Sequence, residues 1–577
     1  MGNKQGWASR LRRAIRKGEA IDLLAGDNSD PIASQPAPRR SIPGTAIRKA
    51  LLHPQLRPDP RGLAIRGAII TGQLDLRHAV VSCQLQLQDC VFEQDVLLND
   101  SRLISLSLRG GHLPTLRLDR ARISGALTLG DQFTAKEVTA MHCDVDGHVD
   151  LSGARLGRDG KDPALRLHNA RISGDLMLGT DPENSAKSFN ARGLVSAGCI
   201  RIEGNLVMRR ARLESDDVAL HLDGAKISGS ALMDKGFEAI GTISAIAAHI
   251  GGEINLTGAV IHRPGGIALN FGGTHTAANI FFERLRVTGE VRLAGATIGR
   301  MLALGGGGSS QEGTDTPRDA PTGASALVAE PTESVVICER NQDTVYIGAS
   351  NGGPERNTRH SSGPEASSDS ALLRLDFARI GILCGNHNLP RILSAMGWKI
   401  GEFQGALDTP TATIRWLESI PSEHFSVQSW HEVASVFERQ GRISDANLVR
   451  FRAAHKVTNR TPRRSKWIRF MYAVFAGYGY YPLFSALWLA GAALVGGFLT
   501  EAFGQPVANA AGHPPAEYNG WLYGAMVVIP SAAMFKPSSW DLAGPVPLTV
   551  ALIALSAFGW LWTGILLASL TSLLKKG

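Results

Sequence analysis

Residues 117–130 have the sequence RLDRARISGALTLG, in which small or apolar residues occupy every second position from Ala121 to Leu129. A period of two residues is typical of a strand that buries one of its faces. The pattern places a glycine two positions after an isoleucine or valine, and it returns seven more times. The further copies are Ala68/Ile70/Gly72/Leu74/Leu76, Cys143/Val145/Gly147/Val149/Leu151, Ala170/Ile172/Gly174/Leu176/Leu178, Ile202/Gly204/Leu206/Met208, Ala225/Ile227/Gly229/Ala231/Met233, Ala248/Ile250/Gly252/Ile254/Leu256 and Leu285/Val287/Gly289/Val291/Leu293.

Most of these copies follow one another at intervals of 22 to 30 residues. Two intervals are longer, and we place degenerate copies there, at Leu85/Leu87 and at Ile280/Phe282. Short alternating strands at such intervals indicate the stacked coils of a repeat protein, with each glycine at a corner. The predicted fold class is therefore mainly β, a right-handed parallel β-solenoid over residues 61–304. A β-sandwich is the alternative, but it would not repeat one motif this often.

Composition and charge narrow the class of protein. The chain has 577 residues, which is enough for several domains, and its 64 glycines and 6% aromatic residues suit thin stacked coils. A formal net charge of +8 suits contact with anionic lipid or with nucleic acid. Six scattered cysteines without C-x-x-C spacing indicate a reducing compartment, and the N-terminus has no apolar secretory signal.

Residues 1–60 are predicted to be an N-terminal helix followed by a linker. Trp7, Leu11 and Ile15 share one face of this basic helix. Two interpretations stay open at this point. The helix lies on a membrane surface, or it caps the open end of the solenoid.

Residues 305–370 interrupt the repeats with segments rich in Gly, Ser, Pro and Thr, which predicts a disordered insertion with one hairpin inside it. The motif resumes in a final coil over 371–384. Residues 385–470 then change to helical spacing. Six of them match one tetratricopeptide-like helix pair, interpreted either as local packing or as a peptide-binding groove: Trp430, Val433, Ala434, Phe437, Gly441 and Ala446.

Ten basic residues lie between positions 439 and 469, with Asp445 as the one acidic residue among them. A basic cluster next to a membrane segment is attracted to anionic headgroups, by about 1 kcal/mol per residue. Nucleic acid is the alternative partner, but Trp467 and Phe470 lead into an apolar run and favour the membrane. The predicted contacts with anionic lipid are Arg460, Arg463, Arg464, Lys466 and Arg469.

Residues 471–577 are predicted to form a transmembrane hairpin with spans at about 481–500 and 548–574, since neither segment contains a charged residue. Between them, the apolar run 521–535 is too short to span. From Trp521 onward it is predicted to be re-entrant or interfacial, with Pro530 inside it. Basic residues flank the outer ends of the hairpin, so the solenoid and both termini are expected in the cytoplasm.

A search for catalytic chemistry gives no candidate. The sequence contains no strand–G-x-G-x-x-G–helix motif, no Walker motif, no H-E-x-x-H and no G-x-S-x-G. We therefore expect no enzyme activity, no cofactor and no metal. The tripeptide Gly477-Tyr478-Gly479 is similar to part of a potassium-channel filter, but it precedes the first span and follows Ala476. We interpret it as part of an interfacial aromatic belt.

Several of these segments together resemble one family. They are LAIRGAIITGQLDL, LQDCVF, LRLDRARISGALTLG, WHEVASVFERQGRISDANLV, the GYG before the first span and GWLWTGILLASLTSLL. They are similar to bacterial, membrane-associated pentapeptide-repeat-like proteins, which often carry the label oxidoreductase. The resemblance implies this architecture and a location at the bacterial inner membrane. Strict pentapeptide spacing is not kept after Ile123, and no residue matches a cofactor motif that would support the label.

The favoured function is a membrane-anchored cytoplasmic scaffold or sensor whose solenoid or helical segment binds a protein or another ligand. The second hypothesis is an oligomeric pore or membrane-perturbing effector, for example in anti-phage defence, with the solenoid as its sensor. An enzyme that uses the solenoid is the third. The expected partners are the membrane, anionic lipids, an unidentified protein and a second copy of the chain, whereas nucleic acid is disfavoured.

Overall fold

The structure is a computed structural model, and it describes residues 4–24, 40–180, 187–305, 371–385, 389–507, 519–534 and 542–574. The chain divides into two units, residues 1–426 and residues 427–577. The insertion predicted over 305–370, with its hairpin, lies outside the described residues from position 306 onward.

The first unit is a parallel β-solenoid, which confirms the predicted fold class. Each coil has four sides, and each side adds a strand to one of four stacks in which every pairing is parallel. We number the stacks 1 to 4 in the order in which the chain visits them from Leu63 onward. Paired residues lie 20 to 30 positions apart, as with Arg102 and Arg122 or Arg171 and Arg201. Stack 4 contains twelve strands, so about twelve turns are complete.

The strand bounds follow the four sides. Stack 1 contains Ile21–Asp22, Leu63–Arg66, Leu85–Gln88, Leu106–Ser107, Leu127–Thr128, Val149–Asp150, Leu176–Met177, Leu206–Val207, Ala231–Leu232, Ile254–Asn255 and Ile280–Glu283. Stack 2 contains Ser41–Pro43, Ile69–Thr71, Val91–Phe92, Arg155–Gly157 and Asn190–Arg192. Stack 3 contains Leu74–Asp75, Val96–Leu97, Leu165–Arg166, Val195–Ser196, Leu372–Arg374 and Arg391–Ser394. Stack 4 contains Val80–Val81, Arg102–Leu103, Arg122–Ile123, Asp144–Val145, Arg171–Ile172, Arg201–Ile202, Lys226–Ile227, His249–Ile250 and His275–Thr276.

Some strands continue around a corner. Those that belong to stacks 2 and 3 are His112–Arg117, Thr134–Thr139, Arg212–His221, Glu238–Ser244, Val260–Asn270 and Arg286–Arg292. Those that belong to stacks 4 and 1 are Thr297–Gly305, Arg379–Gly385 and Lys399–Gly405.

The repeated motif marks one corner of the coil. Ile123 ends a strand of stack 4, and Leu127 begins the next strand, in stack 1. Gly125 lies between them, and the side chains of Ile123, Leu127 and Leu129 are all buried. The nine alternating residues are therefore two short strands joined at a glycine, as the predicted corner requires, and not one long strand.

The corner glycines form a column because neighbouring coils approach too closely there for a side chain. A Cβ atom on Gly147 would lie 2.7 Å from the carbonyl carbon of Gly125, and one on Gly204 would lie 2.8 Å from that of Gly174. The amide of Gly147 donates to the oxygen of Gly125 at 3.1 Å. Close backbone approach therefore explains the glycine at this position.

Two of the eight motif copies lie on the opposite corner, between stacks 2 and 3. Ile70 pairs within stack 2 and Leu74 within stack 3, and the copy around Val287 is placed in the same way. The two long intervals in the sequence arise from this change of corner. Leu85 and Ile280, which we interpreted as degenerate copies, begin strands of stack 1.

Both ends of the solenoid are covered. Helix α1 (Lys4–Lys17) buries Trp7, Leu11 and Ile15, and helix α2 (Gly44–Leu51) packs against it. The cap is therefore the interpretation that the structure supports for this helix. At the other end, α3 (Pro410–Glu418) follows the last coil, and the ring centroids of Trp398 and Trp416 lie 6.0 Å apart. Such caps protect the outermost strands from pairing with other chains.

The structure departs from two predicted boundaries. Strands Ile21–Asp22 and Ser41–Pro43 already pair with the first coil, although residues 1–60 were expected to hold only a helix and a linker. Strands Arg391–Ser394 and Lys399–Gly405 form a further coil within the region expected to be helical from 385. Trp398 replaces the small first residue of the motif in that coil, which hides the copy.

The second unit is helical. Its helices are α4 (Val427–Arg439), α5 (Ile443–Arg460), α6 (Arg463–Ala476), α7 (Pro482–Phe503), α8 (Gly520–Val528), α9 (Pro530–Ala533) and α10 (Val546–Leu574). A two-stranded antiparallel pair, Gln505–Pro506 with Leu542–Ala543, lies between α7 and α10 in the chain order.

Candidate membrane site

Helices α7 and α10 are long and apolar enough to cross a membrane, by length and composition. Only 22% and 11% of their most apolar segments is buried in the structure. Leu487 on α7 and Leu561 on α10 are 67% and 60% exposed. A core helix of a soluble protein would bury such side chains, so the exposed apolar surfaces indicate a membrane environment.

The short helix α8 packs against α7 through glycines. A Cβ atom on Gly524 would lie 2.3 Å from the carbonyl carbon of Gly496, and one on Gly497 would lie 2.7 Å from the ring of Trp521. Thr500 is fully buried, and its hydroxyl donates to the carbonyl oxygens of Gly496 and Gly497. The first helical turns of the 521–535 run are thus held along the last turns of α7.

Helix α10 contacts the same short helix from the other side. A Cβ atom on Gly559 would overlap the carbonyl oxygen of Val528, whose side chain is fully buried. By contrast, nothing lies within 4 Å of the corresponding positions at Gly491 and Gly564. Of the five glycines in the two spans, three therefore serve contacts within the chain.

Pro530 ends α8 and begins α9. Ile529 has φ −92° and ψ 109°, which is the extended conformation favoured before a proline, and Pro530 is the first residue of the next helix. Pro530 is buried, whereas Trp521 is 47% exposed. The chain leaves α7 and returns to α10 through strands that pair with each other, Gln505 with Ala543. The two ends of this excursion therefore lie side by side.

The GYG tripeptide is a tight turn between α6 and α7. Tyr478 has φ 55°, and its hydroxyl hydrogen-bonds the Thr458 hydroxyl on α5 at 2.8 Å. The ring of Tyr478 lies 5.5 Å from that of Phe451, also on α5. The turn thus joins α5 to the start of the first apolar helix, and its tyrosine is used for packing.

The predicted lipid contacts lie at the end of α5 and along α6. Arg464, Lys466 and Arg469 are exposed. Apolar neighbours on the same helix are exposed as well, with Trp467 at 65% and Ile468 at 69%. Arg460 is exposed at the end of α5, and the side chain of Arg463 lies outside the described part of the structure. Exposed cations beside exposed aromatic residues are typical of a helix at a membrane interface.

The rest of the basic cluster is paired within the α4–α5 hairpin. Arg442 binds Asp445 at 2.7 Å, Arg439 lies 3.9 Å from Glu432, and Arg450 pairs with Glu438. Asp445 is thus not the only acidic residue that opposes the cluster. These pairs lower the charge that α4 and α5 offer to a partner, so the free positive charge is concentrated toward α6 among the described residues.

The helix pair predicted around Trp430 is present as α4 and α5. Gly441 provides the left-handed turn between the two helices, with φ 76°. The other five predicted residues are fully buried and form the contact between the helices: Trp430, Val433, Ala434, Phe437 and Ala446.

Carboxylates on the solenoid connect neighbouring coils. Asp119 accepts from the amide of Met141 at 2.9 Å, and Asp223 accepts from the amide of Ile246 at 2.9 Å. Asp175 accepts from the amide of Asn205 in the same manner. Within the described ranges no group of three or more His, Cys, Asp and Glu side chains is placed to hold a metal ion.

Stack 4 presents a row of basic side chains that the sequence analysis missed. The residue before each buried isoleucine or valine faces outward, and register pairs these residues directly from coil to coil. The row is Arg102, Arg122, Asp144, Arg171, Arg201, Lys226, His249, His275, Thr297, Arg379 and Lys399. We call it the basic row. Aligning the motif copies on their isoleucines would have shown it.

A trough of about 490 Å³ lies beside the middle of the basic row. One wall consists of cations from three successive coils, and the other side is the turn that precedes them. The side chains that line it include His142, Asn169, Arg171, Cys199, Arg201 and Lys226.

No protein-family model, curated protein or solved structure matches this chain significantly. The class that the structure itself defines is a parallel β-solenoid of about twelve turns followed by helices, two of which are candidate membrane spans.

Proposed function

We propose that the protein is a membrane-anchored scaffold or sensor, in which α7 and α10 cross a membrane and the solenoid displays a binding surface. The exposed apolar surface of the two helices carries this proposal. Leaving one large apolar side chain in water costs about 1.5–3 kcal/mol, and many such side chains are exposed on α7 and α10. A bilayer removes this cost for all of them together.

Helix α6 supports the same placement. Its exposed Arg464, Lys466 and Arg469 suit anionic headgroups, while Trp467 and Phe470 suit the headgroup level of a bilayer. The family resemblance adds the bacterial inner membrane as the location. The flanking positive charge places the solenoid and both termini in the cytoplasm.

Membrane fractionation tests the proposal. The full chain is expected in the membrane pellet after washing with high salt and with alkaline carbonate. A chain that lacks residues 471–577 is expected to be released, apart from a fraction that binds through the basic residues and leaves in high salt. A truncated chain that stays in the pellet at high salt would show another anchor, and release of the full chain by carbonate would refute the proposed spans.

A second candidate function, an oligomeric pore, is favoured by the arrangement of α8. This helix begins beside Glu501 near the end of α7, reaches Gly496 and Val528, and then returns to the strand pair at Gln505 and Ala543. Seven residues of helix separate Gly496 from Phe503, which corresponds to a depth of about 10 Å. A segment that dips to such a depth and returns is a feature of pores, and it is tolerated when buried in protein or lining water. The unfilled Gly491 and Gly564 leave a small-residue surface for a second copy.

Cysteine scanning separates the anchor from the pore. Single cysteines across 521–535, on a cysteine-free background, are treated in cells with a membrane-impermeant thiol reagent. A pore predicts labelling that continues to the buried middle of the run and a leak of small ions that Pro530→Ala abolishes. Labelling restricted to the exposed positions near Trp521 and Met534, with no leak on overexpression, supports the anchor alone.

A further inference from the structure

The cations of the basic row differ from the other arginines of the solenoid because they have no partner. Elsewhere an arginine meets a carboxylate on the neighbouring coil, as in Arg66 with Asp89 at 2.8 Å and Arg120 with Asp100 at 2.7 Å. In the described part of the chain, the side chains of seven row residues make neither an ion pair nor a hydrogen bond: Arg102, Arg122, Arg171, Arg201, Lys226, Arg379 and Lys399.

Like charges stacked in register oppose each other. Neighbouring strands lie about 4.8 Å apart, and directly opposed like charges destabilise a sheet. Arg171, Arg201 and Lys226 come from three successive coils and are all exposed. The row therefore stores unfavourable interactions that an anion lying along it would relieve.

The shape of the row limits the choice of anion. From Arg102 to Lys399 it runs parallel to the solenoid axis over ten coil steps, which is about 48 Å. An extended polypeptide rises about 3.3 Å per residue, so a segment of about 15 residues would match this length. The trough beside Arg171, Arg201 and Lys226 gives such a segment a concave place at the middle of the row.

We propose that the basic row binds an extended, acidic segment of a protein partner. Arginine pairs with carboxylates through two parallel hydrogen bonds, which suits the arginine-rich composition of the row. The inference rests on the proposed scaffold function and names the kind of partner that the solenoid would hold.

The column beside the row is suited to a peptide as well. It contains Ser124, Asp146, Ser173, Glu203 and Ser228, each two positions after the row residue of its strand. These hydroxyls and carboxylates can accept hydrogen bonds from the amides of an extended backbone.

The same column disfavours a lipid surface, because Asp146 and Glu203 are exposed on this face and would meet anionic headgroups. Nucleic acid is disfavoured for a different reason. Proteins that bind single strands stack the bases on aromatic rings, and no Phe, Tyr or Trp is found among the residues that line the trough.

The test uses the full chain in uncharged detergent and a labelled peptide of alternating glutamate and serine, of the length derived above. Binding is followed by fluorescence anisotropy. The rate at which a thiol reagent modifies Cys199, which is exposed and lines the trough, reports whether the peptide occupies this site. Mass spectrometry resolves Cys199 from the other cysteines and from binding at the basic residues of α6.

The double variant Arg171→Glu/Arg201→Glu is expected to weaken peptide binding by at least about tenfold, and the peptide should no longer protect Cys199. The matched control is Arg155→Glu/Arg286→Glu. Both control residues are exposed, begin a strand and lack an ion partner within the described ranges, but they lie in stack 2. This control should change the affinity by less than about twofold.

Three results would overturn the proposal. An oligothymidylate of equal length might replace the peptide in both assays, with the same sensitivity to Arg171→Glu/Arg201→Glu, and the partner would then be nucleic acid. Binding of phosphatidylserine vesicles with that sensitivity would assign the row to lipid. Equal peptide affinities for the two double variants would show that the row is only a solvated surface. None of these assays depends on membrane anchoring, so they fail independently of the fractionation experiment.

Discussion

Arg171 and Ile172 are adjacent in the chain but face opposite environments. Ile172 is 1% exposed in the apolar stack between Val145 and Ile202, whereas Arg171 faces solvent. Ile172→Asp would bury a carboxylate without a partner, and we expect a loss of about 3–5 kcal/mol of folding free energy. Arg171→Asp should cost little. Thermal unfolding of the two variants checks the assignment, and equal shifts would contradict it.

The cysteines of the solenoid should differ sharply in reactivity. Burial raises the pKa of the Cys90 and Cys143 thiols to about 12 each. The thiolate is the reactive form, so at pH 8 only about one molecule in ten thousand would carry it at either site. Cys199 is exposed. We expect a thiol reagent at pH 8 to modify Cys199 and to leave Cys90 and Cys143 intact.

The control for this prediction is the unfolded chain, in which all three thiols should react at comparable rates, as followed by mass spectrometry. Rapid modification of Cys143 in the folded protein would mean that the coil containing it opens on the timescale of labelling.

Inward and outward residues could be predicted from the sequence because a period of two is local. The outward row could not, because it depends on which residues of different coils face each other. The coil from Arg171 to Arg201 takes 30 residues, but that from Arg102 to Arg122 takes only 20. The extra residues are accommodated in other sides of the coil, so no fixed period aligns the cations.

At the scale of elements, the contact between α7 and α8 should depend on Gly524. A Cβ atom there would lie 2.3 Å from the backbone of Gly496, so Gly524→Val cannot be accommodated without moving α8. We expect a cost of about 1–3 kcal/mol or displacement of the helix. Val528 is fully buried, so a Val528→Cys reporter should become accessible to a thiol reagent when Gly524→Val is added.

Gly491→Val is the matched control, since the same side chain there would meet nothing within 4 Å. It should leave labelling of the Val528→Cys reporter unchanged in the solubilised monomer. If Gly524→Val leaves the reporter protected, the packing of α8 on α7 does not hold in solution.

Elements with a strong periodic signal could be predicted, and those defined by tertiary contacts could not. The spans and the helix pair around Trp430 follow from apolar runs and helical spacing. The last coil was hidden because Trp398 packs against Trp416 of α3, so a large ring fills the place of a small residue. The strand Ile21–Asp22 is only two residues long and exists because the first coil offers Ile65 as a partner.

At the scale of the whole molecule, the distribution of basic residues should decide the orientation in the membrane. The cluster from Arg460 to Arg469 precedes the first span, and Lys575 and Lys576 follow the second, while Glu501 and Glu517 lie in the connection. Because positive charge is retained in the cytoplasm, the solenoid should be inside and the end of α7 outside. Phe503 is 55% exposed at that end, which makes Phe503→Cys a suitable reporter.

A membrane-impermeant thiol reagent applied to intact cells should label Phe503→Cys and spare Cys199, which becomes labelled only after the cells are permeabilised. Each chain thus contains a reporter for either side, since Cys199 is exposed on the solenoid. The opposite pattern would reverse the orientation. Labelling of neither residue before permeabilisation would place both ends of α7 on the inner side and refute a span. Replacing Arg464, Lys466 and Arg469 with glutamine should increase the fraction of inverted chains, because it removes the charge that retains α6 in the cytoplasm.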